Sequence, residues 1–295
     1  MHRIFGKICS NAEKSLLFSQ NTVKFRLKAQ RRAGDLVDSV NRTLYIPLYG
    51  KAFVSQKGLI LQDPVAEEIW AKEGFPLRGK SKSKWLAYYM AMRSAVFDDW
   101  VGQQLTAAAD VLVIHIGCGL DSRALRVGEH KWYDVDFPDV IRVRKQYFAE
   151  TDYYHMIGCD VRDNGWLSAL PSGGQAIVVM EGVSMYMTAG ELKALLQNLA
   201  IHFDEVSLLM DCYTSLAAKL SKYKNPVHDL GVTQVYGLDN PNVLRGSSMA
   251  FVQEHDMTPQ RLVDQLQGLE KKIFSKLYAG AFSKKLYRMF EFRKG

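Results

Sequence analysis

Residues 111 to 141 constrain the fold of this chain more than any other stretch. VLVIHI, Val111 to Ile116, is an apolar run rich in β-branched residues that ends in Gly117-Cys118-Gly119. That is the pattern of a buried parallel strand stopping in a tight glycine turn. Asp121 follows where it could cap a helix, and Trp132 to Val135 reads as a second strand that carries Asp136 at its C-terminal tip. Glycines let a backbone approach a ligand, and an acid after the second strand can hold ribose hydroxyls, so the pair predicts a nucleoside site.

A dinucleotide site would take G-x-G-x-x-G, but Ser122 stands at the third glycine position. The pattern therefore fits a nucleoside without a pyrophosphate, and S-adenosylmethionine has the required ribose, adenine and an amino-acid tail to lie along the glycine turn. Downstream, strand and helix alternate. A helix is expected over about 138–150, a strand over 153–158 followed by Asp160, a strand over 175–180 followed by Glu181, a helix opened by Thr188, and a strand over 206–211. Further strands are expected over about 249–255 and 290–292, the second after a basic helix with Lys276, Lys284, Lys285 and Arg288. This rhythm predicts an α/β fold: a doubly wound, mostly parallel seven-stranded Rossmann-like sheet whose strand tips bring Asp136, Asp160, Glu181 and Asp211 to one crevice.

Ahead of that core, Asp63-Pro64 opens a helix with an acid cap and a first-turn proline, and residues 82 to 109 carry a long helical pattern. Tyr88, Met92 and Phe97 read there as core, whereas Arg93 needs an anion, either a ligand carboxylate or an acid such as Asp98. Residues 1–109 are expected to form a helical arm and cap on a core of 110–295, within which the irregular stretch 214–258 would be an acceptor lid. The basic N-terminal residues 1–34 have the composition of a mitochondrial presequence, but Leu16, Leu17, Val23 and Leu27 have helical spacing that favours an arm joining the domain.

With 47% hydrophobic residues the 295-residue chain can build a substantial core, and no apolar run approaches the roughly 20 residues of a membrane span. The net charge of +7 suits an anionic partner without specifying nucleic acid. Cys9, Cys118, Cys159 and Cys212 form no C-x-x-C pair, so free thiols in a reducing, cytoplasmic setting are expected, with no metal. His115, inside the first strand, reads as a core histidine.

Taken together, Gly117-Cys118-Gly119-Leu120-Asp121-Ser122-Arg123, WYDVDFPDVI and EGVSMYM resemble the class I S-adenosylmethionine-dependent methyltransferases of the leucine carboxyl methyltransferase superfamily. RAGD at 32–35, QDPVAEEIW, AMRSAVFDDWV and the closing FRKG are similar to motifs of its tetracenomycin polyketide O-methyltransferase-like branch, with Asp35 standing where the branch has a glutamate. The resemblance implies the following roles. Arg93 would bind the methionine carboxylate, the turn Gly117-Cys118-Gly119 would pass beneath the methionine tail, and Asp136 would hold the ribose. Asp160 and Val161 would frame the adenine, Glu181 with Gly182 would receive the methionine ammonium, and Tyr186 would position the acceptor.

The expected reaction is in-line SN2 transfer of a methyl group to a small-molecule acceptor, releasing S-adenosylhomocysteine. A carboxylate acceptor, with an ordinary pKa of about 4, needs no base. A phenol would gain from one, and His155, His202, His228 and His255 are the candidates. The competing reading is a nucleic-acid-binding protein on the same fold, using the basic arm and C-terminal helix. The dispersed basic residues without interleaved aromatics argue against it.

Overall fold

Six consecutive buried residues make β1, Val111–Ile116, and a sheet grows from it on both sides. The computed structural model describes residues 43–73, 77, 79–108, 110–221 and 234–294, so the expected N-terminal arm, Cys9 and His228 lie outside the described residues. Among the described residues three α-helices precede β1: α1 (Tyr45–Ser55), α2 (Pro64–Glu73) and α3 (Lys84–Ala107). After β1 come α4 (Arg123–Arg126), β2 (Lys131–Asp136), α5 (Pro138–Arg144), β3 (Tyr154–Gly158), β4 (Gln175–Met180) and α6 (Ala189–His202). The chain continues through β5 (Glu205–Tyr213), α7 (Ser215–Leu220), β6 (Ala250–Glu254), α8 (Gln260–Val263), α9 (Gly268–Leu277), α10 (Ala281–Leu286) and β7 (Tyr287–Lys294).

The strands lie in the order β3-β2-β1-β4-β5-β7-β6. The first five are parallel, β7 runs antiparallel to β5, and β6 antiparallel to β7. This is the seven-stranded, mostly parallel sheet that the alternation of elements predicts. The order reverses between β1 and β4, which opens a crevice at the carboxyl ends of those strands.

Alternate residues of β1 feed two apolar layers. Val111 and Val113 pack with Met92, Phe97 and Trp100 of α3, while Leu112, Ile114 and Ile116 pack with Leu192, Leu195, Leu196 and Leu199 of α6. The leucine spacing puts all four on one helical face, and each buried leucine contributes on the order of 1.5–3 kcal/mol. Thr188 and Glu191 form a reciprocal capping box that starts α6. Asp63 Oδ1 accepts the Ala66 N–H at 2.9 Å and starts α2.

Local chemistry departs from expectation in three places. Asp121 caps nothing: Ser122 precedes the four-residue α4, and the Asp121 carboxylate pairs with Lys51 Nζ at 3.1 Å and Arg126 Nη1 at 2.9 Å. The basic C-terminal helix is two helices, α9 and α10, and Arg288 lies in β7 with its Nε 2.6 Å from Glu254 Oε1. Within 214–258, α7 and a short 3-10 turn at Pro241–Leu244 lie in the part expected to be irregular, while β6 is the strand expected over about 249–255. Among the described residues no helix is long and apolar enough to cross a membrane.

Candidate active site

The glycine turn after β1 is built for close approach. Gly117 has φ +70°, and a Cβ there would lie 2.0 Å from Val183 Cγ2. Only glycine meets both demands. Its N–H donates to the Val135 carbonyl at 2.7 Å, which ties the turn to β2. Two residues on, the Gly119 N–H donates to Asp136 Oδ2 at 2.8 Å and the Phe137 N–H donates to Oδ1 at 2.7 Å. Asp136 is half-buried, and burial pushes its carboxyl up to about 6 against those two donors. A carboxylate has about four lone-pair positions, so this one is oriented yet can still accept from a diol.

At the neighbouring strand ends lies a buried ion cluster. Arg93 of α3 is 4% exposed; its Nε donates to Glu181 Oε1 at 3.0 Å and its Nη1 to Asp211 Oδ2 at 2.9 Å. Asp98, the protein partner that the sequence offers for Arg93, instead accepts from Arg123 Nε at 2.6 Å and Arg126 Nε at 2.8 Å. Ser94 donates to Glu181 Oε1 at 2.9 Å, and Arg123 Nη2 donates to Glu181 Oε2. Burial would raise the Glu181 carboxyl, but the Arg93 and Arg123 guanidiniums outweigh it and hold it well below the ordinary range. Asp211 moves the other way, because burial exceeds the pull of Arg93. Gly182, at φ +72°, donates its N–H to Asp211 Oδ1 at 2.6 Å, and a Cβ there would lie 3.3 Å from Arg93 Nη2.

The remaining expected positions differ in character. Asp160 follows β3, beside the β2 tip, where the Cys159 N–H donates to the Asp136 carbonyl at 2.8 Å. Its carboxylate is held by Arg162 Nε at 2.9 and 3.0 Å, and that contact lowers its pKa. Val161 is half-buried against the α6-side core. Tyr186 follows β4 in a short 3-10 turn, Ser184–Tyr186; its hydroxyl donates to Thr43 Oγ1 at 3.3 Å. It borders a small apolar cluster of Met185, Tyr213 and Ala217 with Tyr287, in which the Tyr213 and Tyr287 rings meet edge to face at 4.7 Å.

The structure thus joins Gly119 to Asp136 directly and Arg93 to Glu181 and Asp211 directly, with Gly182 on Asp211. Asp160 is engaged by its own loop. Sequence reasoning gave no role to Ser94, Arg123 or Lys51. The only available signal was a serine beside Arg93 and an arginine just past the glycine turn. Cys118 and Cys212 are buried thiols pushed up by burial, Cys159 is half-buried, and no group of acids, histidines and cysteines suited to a metal occurs among the described residues. His115 is 1% exposed, as a core histidine should be.

An acid with lone pairs to spare at the β2 tip, a glycine turn after β1, and an adjoining carboxylate and guanidinium at the β4 and β5 tips are groups of the kind that an adenosine with a zwitterionic tail requires. With the 3-2-1-4-5-7-6 sheet, they mark a class I methyltransferase. The chain belongs to the leucine carboxyl methyltransferase family, whose model matches residues 28–200, and it is an S-adenosylmethionine-dependent methyltransferase. It is 29% identical over 241 residues to the tetracenomycin polyketide synthesis O-methyltransferase TcmP of Streptomyces glaucescens, covering 79% of this chain and 88% of that one. It is also 29% identical to the S-adenosyl-L-methionine-dependent methyltransferase dpfgK of Gibberella zeae, covering 68% and 76%. A DUF574 family protein of known structure from Streptomyces avermitilis shares the fold, with a TM-score of 0.54 at 10% identity over 85% of this chain and 97% of that one.

Proposed function

We propose that this enzyme is an O-methyltransferase acting on a small organic acceptor, either a carboxylate, which it converts to a methyl ester, or a phenolic, polyketide-like hydroxyl. The observation that carries this reading is the aromatic cluster of Tyr186, Tyr213 and Tyr287, gathered where the segments after β4 and at the end of β5 also carry Glu181 and Asp211. Such a wall suits a flat, apolar acceptor, and the similarity to TcmP, a polyketide-synthesis enzyme, points the same way.

S-adenosylmethionine supplies an electrophilic methyl group on a sulfonium when bound. Asp136 would then hold the ribose, the Gly117-Cys118-Gly119 turn would lie beneath the amino-acid tail, Arg93 would bind its carboxylate and Glu181, with Gly182, its ammonium. Asp160 and Val161 would frame the adenine, which requires Arg162 to share or release Asp160. Tyr186 would orient the acceptor oxygen. Residues 1–109 would cap the core, and 214–258 would wall the acceptor pocket. In support of that wall, the Tyr236 N–H donates to the Met185 carbonyl at 2.8 Å and the Leu238 N–H to the Tyr213 carbonyl at 2.7 Å.

Of the two acceptors, the candidate histidines among the described residues favour the carboxylate. His155 packs on Tyr133 with ring centroids 4.8 Å apart, His202 Nε2 lies 3.0 Å from the Pro171 carbonyl before β4, and His255 Nε2 pairs with Glu291 Oε2 at 2.7 Å. None of these three is bonded to Tyr186 or to the ion cluster. An acceptor that is already ionised at neutral pH needs positioning rather than a base. The test is a panel of aromatic carboxylates and phenols with S-adenosylmethionine, read by S-adenosylhomocysteine release and by mass and NMR of the product. Methyl esters or aryl methyl ethers are expected; ring C-methylation, or turnover of an added set of amines and thiols with none of the carboxylates or phenols, would overturn the reading.

A further inference from the structure

Arg123 has no part in the binding roles above, yet its side chain is buried and its guanidinium is fixed on three sides. Its Nε donates to Asp98 Oδ1 at 2.6 Å, its Nη2 to Glu181 Oε2, and its Nη1 lies 3.2 Å from His115 Nε2. A guanidinium has no acceptor atom, so His115 Nε2 must accept, which leaves the imidazole neutral with its proton on Nδ1, 3.5 Å from Asp134 Oδ1. Asp98 lies on α3, the helix that also carries Arg93 and Ser94. Glu181 is therefore held from both sides: Arg93 takes Oε1, Arg123 takes Oε2, and Ser94 reaches both at 2.9 and 3.1 Å.

We propose that Arg123 is a positioning residue for the amino-acid end of the cofactor: it fixes the Glu181 carboxylate through Oε2 so that the ammonium meets an oriented, ionised acceptor. The inference rests on the assignment of Glu181 to the cofactor ammonium. The role needs the planar fork. A lysine carries the charge, but its donors sit on one nitrogen at the end of a flexible stem and cannot reproduce contacts made to Asp98, His115 and Glu181 from three nitrogens of a rigid plane. The ribose end is independent of this device, because Asp136 is oriented by the Gly119 and Phe137 N–H groups.

The test compares two nucleosides on the full chain by calorimetry: S-adenosylhomocysteine, which carries the amino-acid tail, and 5′-methylthioadenosine, which lacks it. Arg123→Lys is expected to weaken S-adenosylhomocysteine roughly tenfold or more, the scale of one hydrogen bond to a charged group. Its affinity for methylthioadenosine is expected to stay within about twofold of wild type. Should Arg123→Lys fail to fold, Asp98→Asn loosens the same guanidinium from a position that is partly open and should shift the ratio of the two affinities in the same direction. Parallel loss of both ligands, or loss of neither, overturns the proposal. Glu181→Gln separates the two levels of the argument. If it leaves the ratio unchanged, the assignment of Glu181 is wrong and the inference falls with it. If it changes the ratio while the Arg123 and Asp98 variants do not, only the role of Arg123 is refuted.

Discussion

Asp136→Asn should stabilise the ligand-free protein and weaken it as an enzyme, two effects of opposite sign from one carboxylate. Burial raises Asp136 from the ordinary 3.8 to about 6. That rise, at about 1.36 kcal/mol per pH unit, corresponds to about 3 kcal/mol by which the fold disfavours the ionised form. The sign follows from linkage. Below pH 3.8 the group is neutral in both folded and unfolded chains and costs nothing. As pH rises through 3.8 and then about 6 the unfolded chain ionises first, so stability is lost across that window and stays lost above it. An amide stays neutral, so the variant should match wild type near pH 3.5 and exceed it at pH 7.5 by about 1–3 kcal/mol. For a domain of this size about 2–4 °C of melting temperature accompanies each kcal/mol. Losing the charged acceptor for a ribose diol should meanwhile weaken S-adenosylhomocysteine by about 1.5–3 kcal/mol, or roughly 10- to 150-fold. In wild type the same affinity should fall about tenfold per pH unit below 6 as Asp136 protonates. Melting curves at the two pH values and calorimetry with S-adenosylhomocysteine test both halves. A variant that is less stable at pH 7.5, or that binds as wild type does, refutes the assignment.

Arg144→Met should destabilise by about 3–5 kcal/mol in denaturant melts, because the fully buried guanidinium pairs with Asp134 and donates to the Gly119 carbonyl at 3.0 Å, and its loss strands a buried carboxylate. Gly117→Ala should lower stability by more than about 1 kcal/mol and abolish detectable S-adenosylhomocysteine binding in calorimetry, since its φ is +70° and its Cβ would strike Val183. Tyr186→Phe should raise the acceptor KM and leave S-adenosylhomocysteine affinity within about twofold in steady-state and binding assays. In a double-mutant cycle of Arg93→Met with Glu181→Gln, the combined loss of stability should fall short of the sum of the single losses by about 0.5–3 kcal/mol; additive losses would show that the pair seen at 3.0 Å carries no coupling.

The parts of this architecture that were legible in the sequence are those governed by short-range rules. The run VLVIHI, the helix start at Thr188 and the Asp63-Pro64 start each depend on neighbours within a few residues, and each lies where the pattern puts it. The partners of the charged residues were not legible. Arg93 meets Glu181 and Asp211 from 88 and 118 positions away, while Asp98, five residues along the same helix, turns to Arg123 and Arg126. No periodicity encodes such pairings; they follow from where the sheet order sets the strand tips. Asp121 misled for a related reason. A capping residue and a buried ion-pair residue are the same amino acid, and here Arg126 and Lys51 of α1 hold Asp121 as an ion-pair residue.

Three motifs that read separately along the chain, QDP, FDD and DSR, turn out to be one object. Asp63 accepts from Ser122 Oγ at 2.5 Å and Arg126 Nη1 at 2.6 Å, Asp98 accepts from Arg123 and Arg126, and Arg123 passes the connection to Glu181. Folding alone does not explain such a network, since well-packed apolar residues often replace buried ion pairs with no loss of stability. What apolar residues cannot do is present an ionised carboxylate and a guanidinium 3.0 Å apart at a strand tip. A zwitterionic amino-acid tail bound there, as proposed above, would gain from that arrangement, because charges fixed before it arrives leave little ordering to be done on binding. If Glu181 takes the cofactor ammonium, α2 and α3 would serve the cofactor site as well as the core. Asp98 of α3 holds Arg123 and Arg126 directly, and Asp63, ahead of α2, holds Arg126 and Ser122, so the network that reaches Glu181 starts from both helices.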